Sequence, residues 1–394
     1  MSTSVEPTVE GLPGGGRPAA VPHPQGKPET EARLFVASQW QLMWWRFRRH
    51  KLALISGAVT LLIYFVAAFA EFLAPFPPGV HNAKYLYAPP QPLHLFDRTE
   101  QGVRFSPHVL GLKSEVDPVA LRRTFKVDPN QKIPVRLFVE GEPYKLLGLI
   151  PAKTHLIGPA DKTQPMYLFG ADRLGRDMLT QMIFGTRISM SIGLVGVVLS
   201  LVLGILLGGI SGYYGGAIDN AIQRVIEFLR SIPTIPLWMG LAAALPMNWP
   251  PLRVYFGITI ILSLIGWTGL ARVVRGRFLS LREEEFVLAA EADGASEMRI
   301  ILRYMVPSFA SHIIASTTLA IPNMILAETS LSFLGLGLRP PVISWGVLLQ
   351  EAQSVRAVMT APWLLWPALQ VVIAVLALNF LGDGLRDAAD PYGR

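Results

Sequence analysis

The sequence predicts an all-α polytopic membrane protein with six crossings, on three observations. Of its 394 residues, 51% are hydrophobic and only 16% charged, with mean hydropathy +0.39. Soluble domains carry about 25% charged residues. Six apolar runs are long enough to span, and the arginines gather beside them at alternate ends, as the positive-inside rule requires. The net charge of +7 is assigned to that clustering and not to a nucleic-acid partner. Cysteine is absent, which excludes disulfides, thiolate metal sites and cysteine nucleophiles.

Residues 1–33 are rich in Pro, Gly, Glu and Thr and are expected to form a disordered cytoplasmic tail. The first apolar run comes too late for a signal peptide. Residues 34–51 alternate bulky apolar groups with cations; Trp40 and Trp44 are one helical turn apart, and Trp45, Arg46, Arg48 and Arg49 follow. The pattern suggests a helix in the headgroup layer, with packing on the protein's own surface as the alternative. Residues 52–73 are the first span, kept as an uncleaved anchor, and its cationic leading flank places the N-terminus inside.

Nothing in residues 74–186 is apolar for long enough to span. Proline-rich turns separate short alternating runs such as PVRLFVEG, which predicts a small β-rich extracytoplasmic insert. Its end, FGADRLGRDMLTQMIFGTRIS, reads as an amphipathic helix entering the core of spans two to six at 187–394. The remaining spans are 188–213, 217–245, 254–274, 309–336 and 363–381. Gly204, Gly208 and Gly212 recur every fourth residue in the second span and make a smooth face for helix contact. Pro233 and Pro236 interrupt the third span, and Pro322 falls in the fifth. Six crossings leave both termini on the cytoplasmic side.

Between the fourth and fifth spans lies a polar, helix-favouring stretch, part of a cytoplasmic loop at 276–307. Arg272, Arg275, Arg277 and Arg282 lead into EFVLAAEADGASEMRIILRYMVP, which breaks at Gly294 and stops at Pro307. Such a loop between spans is expected to be structured and gripped by another protein.

Enzymatic signatures are missing. There is no phosphate-cradling G-x-x-x-x-G-K-[ST], no H-E-x-x-H, and the seven histidines are scattered. Gly209-Ile210-Ser211-Gly212 with His312 on another span could form the Ser–His pair of a rhomboid-like intramembrane protease. Small residues at a packing face explain Ser211 more simply. The acids Asp219, Glu227, Glu328 and Asp383 fall near span ends and not at the bilayer centre, which disfavours a proton-driven carrier.

The loop resembles the "EAA" signature of ABC importer permeases: Ala289, Ala290, Gly294 and Pro307 stand in register, with Leu288 in place of the glutamate and Tyr304 and Val306 in place of the pattern's Ile and Leu. Three further stretches are similar to the second, C-type permease subunit of the dipeptide, oligopeptide and nickel group. They are FGADRLGRDMLTQMIFGTRIS, ETSLSFLGLGLRPPVISWG and NFLGDGLRDAADP, and together the matches cover most of residues 165–394. Residues 76–160 lie outside the usual core.

The resemblance implies the type I ABC importer permease fold and an assembly with a sister permease, two ATPase subunits and an extracytoplasmic substrate-binding protein. The chain would bind no cofactor, with ATP and Mg on the ATPases. Coupling would pass through Glu285, Ala289, Ala290, Asp293, Gly294, Glu297, Arg299 and Pro307. The two alanines would keep the docking face slim, Gly294 would allow a sharp turn and close approach, and Asp293, Glu297 and Arg299 would supply polar contacts. Peptides are the leading cargo, with oligosaccharides, opine-like conjugates or nickel chelates as alternatives. The insert is expected to seat the binding protein or cover the outer mouth, or else to meet anionic lipid through its basic residues. The bacterial inner membrane is the expected location.

Overall fold

The computed structural model describes residues 39–99, 102–116 and 123–389. The predicted tail at 1–33 lies outside them. Helix α1 (Gln39–Phe47) covers the described part of the expected headgroup helix. Trp44 and Trp45 are exposed, whereas Phe47 is buried against Ala53 and Ala388. His50 then caps α2 (Lys51–Ala68) by accepting from the Ala53 amide at 3.1 Å. A short helix α3 (Ala70–Leu73) prolongs this span after a break at Phe69.

The expected insert contains one antiparallel meander of four strands in chain order: β1 (His94–Thr99), β2 (Gly102–Val116), β3 (Arg123–Leu146) and β4 (Ile150–Pro159). Val109, Ile133 and Val135 bury one face against Met166. The strand-to-helix connection at 160–177 therefore forms the floor of the sheet.

The organising helix is α4 (Met178–Tyr214). At 37 residues it is about 55 Å long, well beyond the ~30 Å of hydrocarbon. Asp177 starts it by accepting from the Thr180 amide and hydroxyl at 2.8 and 2.7 Å. It packs most extensively on α7 (Pro251–Leu281), and also on α2 and on α10 (Ala310–Phe333). The last long helix, α13 (Trp366–Ala389), lies on α10 and α2.

Among the described residues, five helices are long and apolar enough to cross a membrane. The third predicted span, 217–245, is broken and qualifies as a crossing only as a bent pair. It is two helices, α5 (Gly216–Ser231) and α6 (Thr234–Ala243), bent by 88°. Ile232, immediately before Pro233, adopts extended backbone (φ −89°, ψ 132°), which is what steric conflict with a following proline ring enforces. Neither piece alone has the ~20 residues a straight crossing needs, but together they carry the chain from Asp219, beside Arg275, to Ala242, which packs on Ile192 and Ile258 at the other end of α4. Helix α5 lays Ile226 against Trp267 and Ala271 and leaves Arg224 and Glu227 in an exposed ion pair.

The glycine row sets how close α4 and α7 come. A Cβ on Gly204 would stand 2.9 Å from Leu270, one on Gly208 2.5 Å from the Ala271 carbonyl oxygen, and one on Gly212 2.7 Å from the Arg275 carbonyl oxygen. At Gly208 and Gly212 the obstacle is backbone, which cannot step aside. Gly208→Ala should therefore cost about 1–3 kcal/mol by overpacking. Gly269→Ala, where nothing lies within 4 Å, should gain up to about 1 kcal/mol of helix propensity. Thermal unfolding of the detergent-solubilised chain distinguishes them: opposite shifts are expected, and equal shifts would remove the glycine row from the stability argument.

Candidate functional site

The end of α7 runs further than expected, to Leu281, so the first six residues of the predicted 276–307 loop remain helical. After a turn, α8 (Glu285–Ala292) begins from extended backbone at Glu284 and ends in two backbone bonds. The Gly294 amide donates to the Glu291 carbonyl at 2.9 Å and the Ala295 amide to the Ala290 carbonyl at 3.0 Å. This is a Schellman stop, and its pivot must take a left-handed conformation; Gly294 has φ +74°. A Cβ there would meet nothing within 4 Å. Within this chain, then, backbone conformation and not crowding demands the glycine.

The two alanines of the motif part company. Ala290 is buried with Val287 against Val274, Phe278, Ile300, Ile301 and Met305, while Ala289 is exposed. The expectation that both form the outer face is corrected: a helix turns about 100° per residue, so neighbours point to different sides. Ala290 is small because α8 lies on α7 and on the segment that follows. That segment runs from α9 (Glu297–Arg299) through a π-helical turn (Ile300–Met305) to Pro307. Glu285, Asp293, Glu297, Arg299 and Pro307 are all exposed, among the exposed apolar side chains of Phe286, Leu288, Met298 and Leu302.

Two polar ties fix this loop to the end of α4. Tyr213 donates to Glu291 at 2.9 Å, and Tyr214 donates to Glu297. Beneath them Arg275 of α7 grips Asp219 of α5 with two nitrogens, a forked ion pair of the kind planar guanidinium favours. Ser211 donates to the same Asp219 carboxylate and accepts from Gln223 at 3.1 Å. Ser211 is therefore taken up in an elbow joining α4, α5 and α7. Among the described residues its side-chain partners do not include His312, and nothing activates it as a nucleophile.

At the opposite end of α4 a second knot centres on Glu328 of α10, fully buried. Ser332 and Ser344 donate to its Oε1 at 2.8 and 2.7 Å, and Ser189 of α4 donates to Oε2 at 3.2 Å. The serines in turn accept backbone amides: Trp345 on Ser189, Leu338 on Ser332 and Val347 on Ser344, the cap of α11 (Trp345–Glu351). One carboxylate thereby joins α4, α10 and the turn into α11. Ser189 ends FGADRLGRDMLTQMIFGTRIS, and Glu328, Ser332 and Ser344 lie within ETSLSFLGLGLRPPVISWG, but neither stretch announced that the two meet.

Between the two knots, α4, α7 and α10 leave a groove of about 270 Å³. Its lining is mostly apolar, with Val197, Leu201, Leu270, Val273 and Leu319, and carries Ser200, Ser316, Thr317 and Asn323 as polar points.

The knot makes a prediction. Glu328→Gln keeps the shape but leaves the Ser189 hydroxyl without its acceptor, a loss of about 1 kcal/mol. Glu328→Leu strands three hydroxyls and should cost roughly 3 kcal/mol or more. Unfolding midpoints of the two variants should separate in that order; identical midpoints would show that the carboxylate's bonds do not hold these helices.

Comparison with known proteins gives two family matches. Residues 177–392 match the "binding-protein-dependent transport system inner membrane component" family, and residues 38–90 match the "N-terminal TM domain of oligopeptide transport permease C". The chain is 42% identical over 229 residues to the oligopeptide transport system permease protein OppC of Salmonella typhimurium, covering 58% of this chain and 73% of that one. It is 38% identical over 225 residues to the dipeptide transport system permease protein DppC of Bacillus subtilis, covering 57% and 68%. Among solved structures, an inward-facing form of the MetNI methionine ABC transporter aligns with TM-score 0.41 at 17% identity, over 54% of this chain and 98% of that one. The matched region begins at Asp177, the cap of α4, and contains the glycine row, both polar knots and the α8 loop. The chain is thus a member of the family of binding-protein-dependent transport system inner membrane components, as a C-type ABC permease subunit.

Proposed function

We propose that this permease subunit imports peptides, forming one half of a pathway completed by a sister permease and driven by two ATPase subunits that bind ATP and Mg. The chain itself is a transport subunit and not an enzyme, set in the inner membrane by several crossings. An extracytoplasmic binding protein would deliver cargo on the side of the insert, with both termini and α8 on the cytoplasmic side. Peptide cargo is supported by the names of the relatives, which are oligopeptide and dipeptide permeases. The groove is compatible with that cargo class. A mostly apolar lining with a few hydroxyl and amide side chains offers weak, generic contact, suited to peptides of any sequence.

The observation that carries the coupling role is the two-sided build of α8. Its inner side, Val287 and Ala290, is locked to α7 and to Ile300 and Ile301, while its outer side and the Gly294 stop are exposed. A push on the exposed side would therefore reach the membrane helices as a rigid displacement, not as local bending. Glu285, Ala289, Asp293, Gly294, Glu297 and Arg299 would meet the ATPase, and Ala290 and Pro307 would shape the support.

Ala289→Arg tests this in a complex reconstituted with its partners. The exposed site should accept arginine without loss of insertion or expression, yet peptide uptake should fall at least tenfold, about 1.4 kcal/mol of lost coupling. Gly294→Asp should behave alike, with basal ATP hydrolysis kept and its stimulation by loaded binding protein lost. Uptake at the unmodified rate in both variants would overturn the docking role. Recovery of the tagged chain without a second permease or an ATPase would overturn the assembly itself.

A further inference from the structure

Strand β3 outlasts its first partner. Pairing with β2 ends at Pro134, so 135–159 is a two-stranded ribbon with β4 alone, from Val135 opposite Pro159 to Leu146 opposite Ile150. A bare two-stranded hairpin is marginal in water and needs something to lie against. This one lies against the end of the first span. His155 Nδ1 is 2.7 Å from the Ala74 carbonyl oxygen, the Phe138 and Phe72 rings are 6.3 Å apart, and the Leu147 amide faces the Glu71 carboxylate.

These contacts set the ribbon's level. His155, partway along it, meets Ala74, and the tip residue Leu147 meets Glu71, one turn nearer the membrane. Arg187 of α4 pairs with Glu71 and also donates to the carbonyls of Ala67 and Ala68 at 2.7 and 3.1 Å, the last residues of α2. Helix α2 has 18 residues, about 27 Å, close to the thickness of the hydrocarbon core. Its end, and with it the ribbon tip, therefore lies at the boundary between hydrocarbon and headgroups.

The tip is the wrong chemistry for water. Leu147, Leu149 and Ile150 are 58%, 81% and 61% exposed. The turn is closed by Leu149 donating to Leu146 at 3.0 Å, with Leu147 at φ +51° and Gly148 at φ +75°. Two left-handed residues make the hairpin turn that Asn-Gly normally fills. Leucine is strained there and gains nothing locally, so an apolar side chain has been kept against backbone preference. Lys145 flanks the tip and is exposed, whereas Lys153 stands further back, level with Glu142, and Glu140 lies beyond them. On α2 the exposed side chains Leu61, Leu62 and Phe65 form the lipid-facing flank. The rings of Phe65 and Phe69, 4.6 Å apart, carry that surface toward Phe72 and Phe138.

We propose that the β3–β4 ribbon is a lipid anchor. Leu147, Leu149 and Ile150 enter the apolar edge of the leaflet on the insert's side, and Lys145 meets phospholipid phosphates. The level of the tip and its continuity with the flank of α2 favour lipid over a protein partner. The anchor depends on the spans crossing a bilayer and not on what is carried.

The absence of cysteine allows single-site labelling of the full chain. Leu149→Cys and Ile150→Cys would carry a nitroxide in vesicles of phosphatidylethanolamine and phosphatidylglycerol, with Val127→Cys, exposed on the main sheet, as control. At both tip sites dissolved oxygen should relax the label several-fold more than a water-soluble nickel chelate, with the reverse at the control. Nickel access at the tip equal to that at residue 127 would overturn the anchor. So would protection that arises only when a binding protein is added, since the ribbon would then be a protein-docking surface.

Discussion

The structure rests on the approach of two backbones, α4 and α7, along Gly204, Gly208 and Gly212. Between helices in lipid the hydrophobic effect gives no preference for contact, so close packing and polar ties must hold them. The glycine row lets the Ala271 and Arg275 backbones come within reach of α4. Only at that separation can Arg275 reach Asp219 across α5, and only there can Ser211 enter the same knot. Phe278, one turn further along, is then placed to receive Val287 and Ala290 of α8. Contact, clamp and loop form one dependent series.

The two polar knots solve a shared problem in different ways. Asp219 meets a guanidinium, and both side chains are partly accessible, so charge is paired where water can still screen it. Glu328 is sealed, and among the described residues no cation pairs with it; three hydroxyls satisfy it instead. Hydroxyl donors bring no opposing charge, but each serine also accepts a backbone amide, so Glu328 fixes main chain at three places at once. The first knot joins α4, α5 and α7 near the exposed α8 loop, and the second joins α4 to α10 and the turn into α11 at the opposite end. Helix α4 is therefore tied at both ends and links the two groups.

Much of this was legible in the sequence. Apolar runs gave five of the spans, and alternation with proline-rich turns gave the sheet. The glycine spacing identified a packing face because repeat spacing on a helix is geometry that sequence states directly. What the sequence withheld depended on tertiary choices. The Pro233 break was visible, but the 88° bend between its two pieces depends on Ile226 finding Trp267 and Ala271 beneath it. Ala289 and Ala290 look alike as letters, and only the seat of α8 on Phe278 separates support from surface. Glu328 was marked as a costly acid, yet Ser189, 139 residues away, could be joined to it only in space.

The same reasoning bears on why a loop beside a membrane can be both small and stiff. Helix α8 has eight residues, too few to be stable alone in water. Its order comes from outside: a Schellman stop at one end, Val287 and Ala290 seated in an apolar bed, and Glu291 and Glu297 held by the two tyrosines that end α4. The π-helical turn that follows widens the helix at Ile300–Met305, which brings Ile300, Ile301 and Met305 under α8 together. A regular α-turn would carry one of them away from the bed. The irregularity is therefore what lets a short exposed helix share the rigidity of the long ones beneath it.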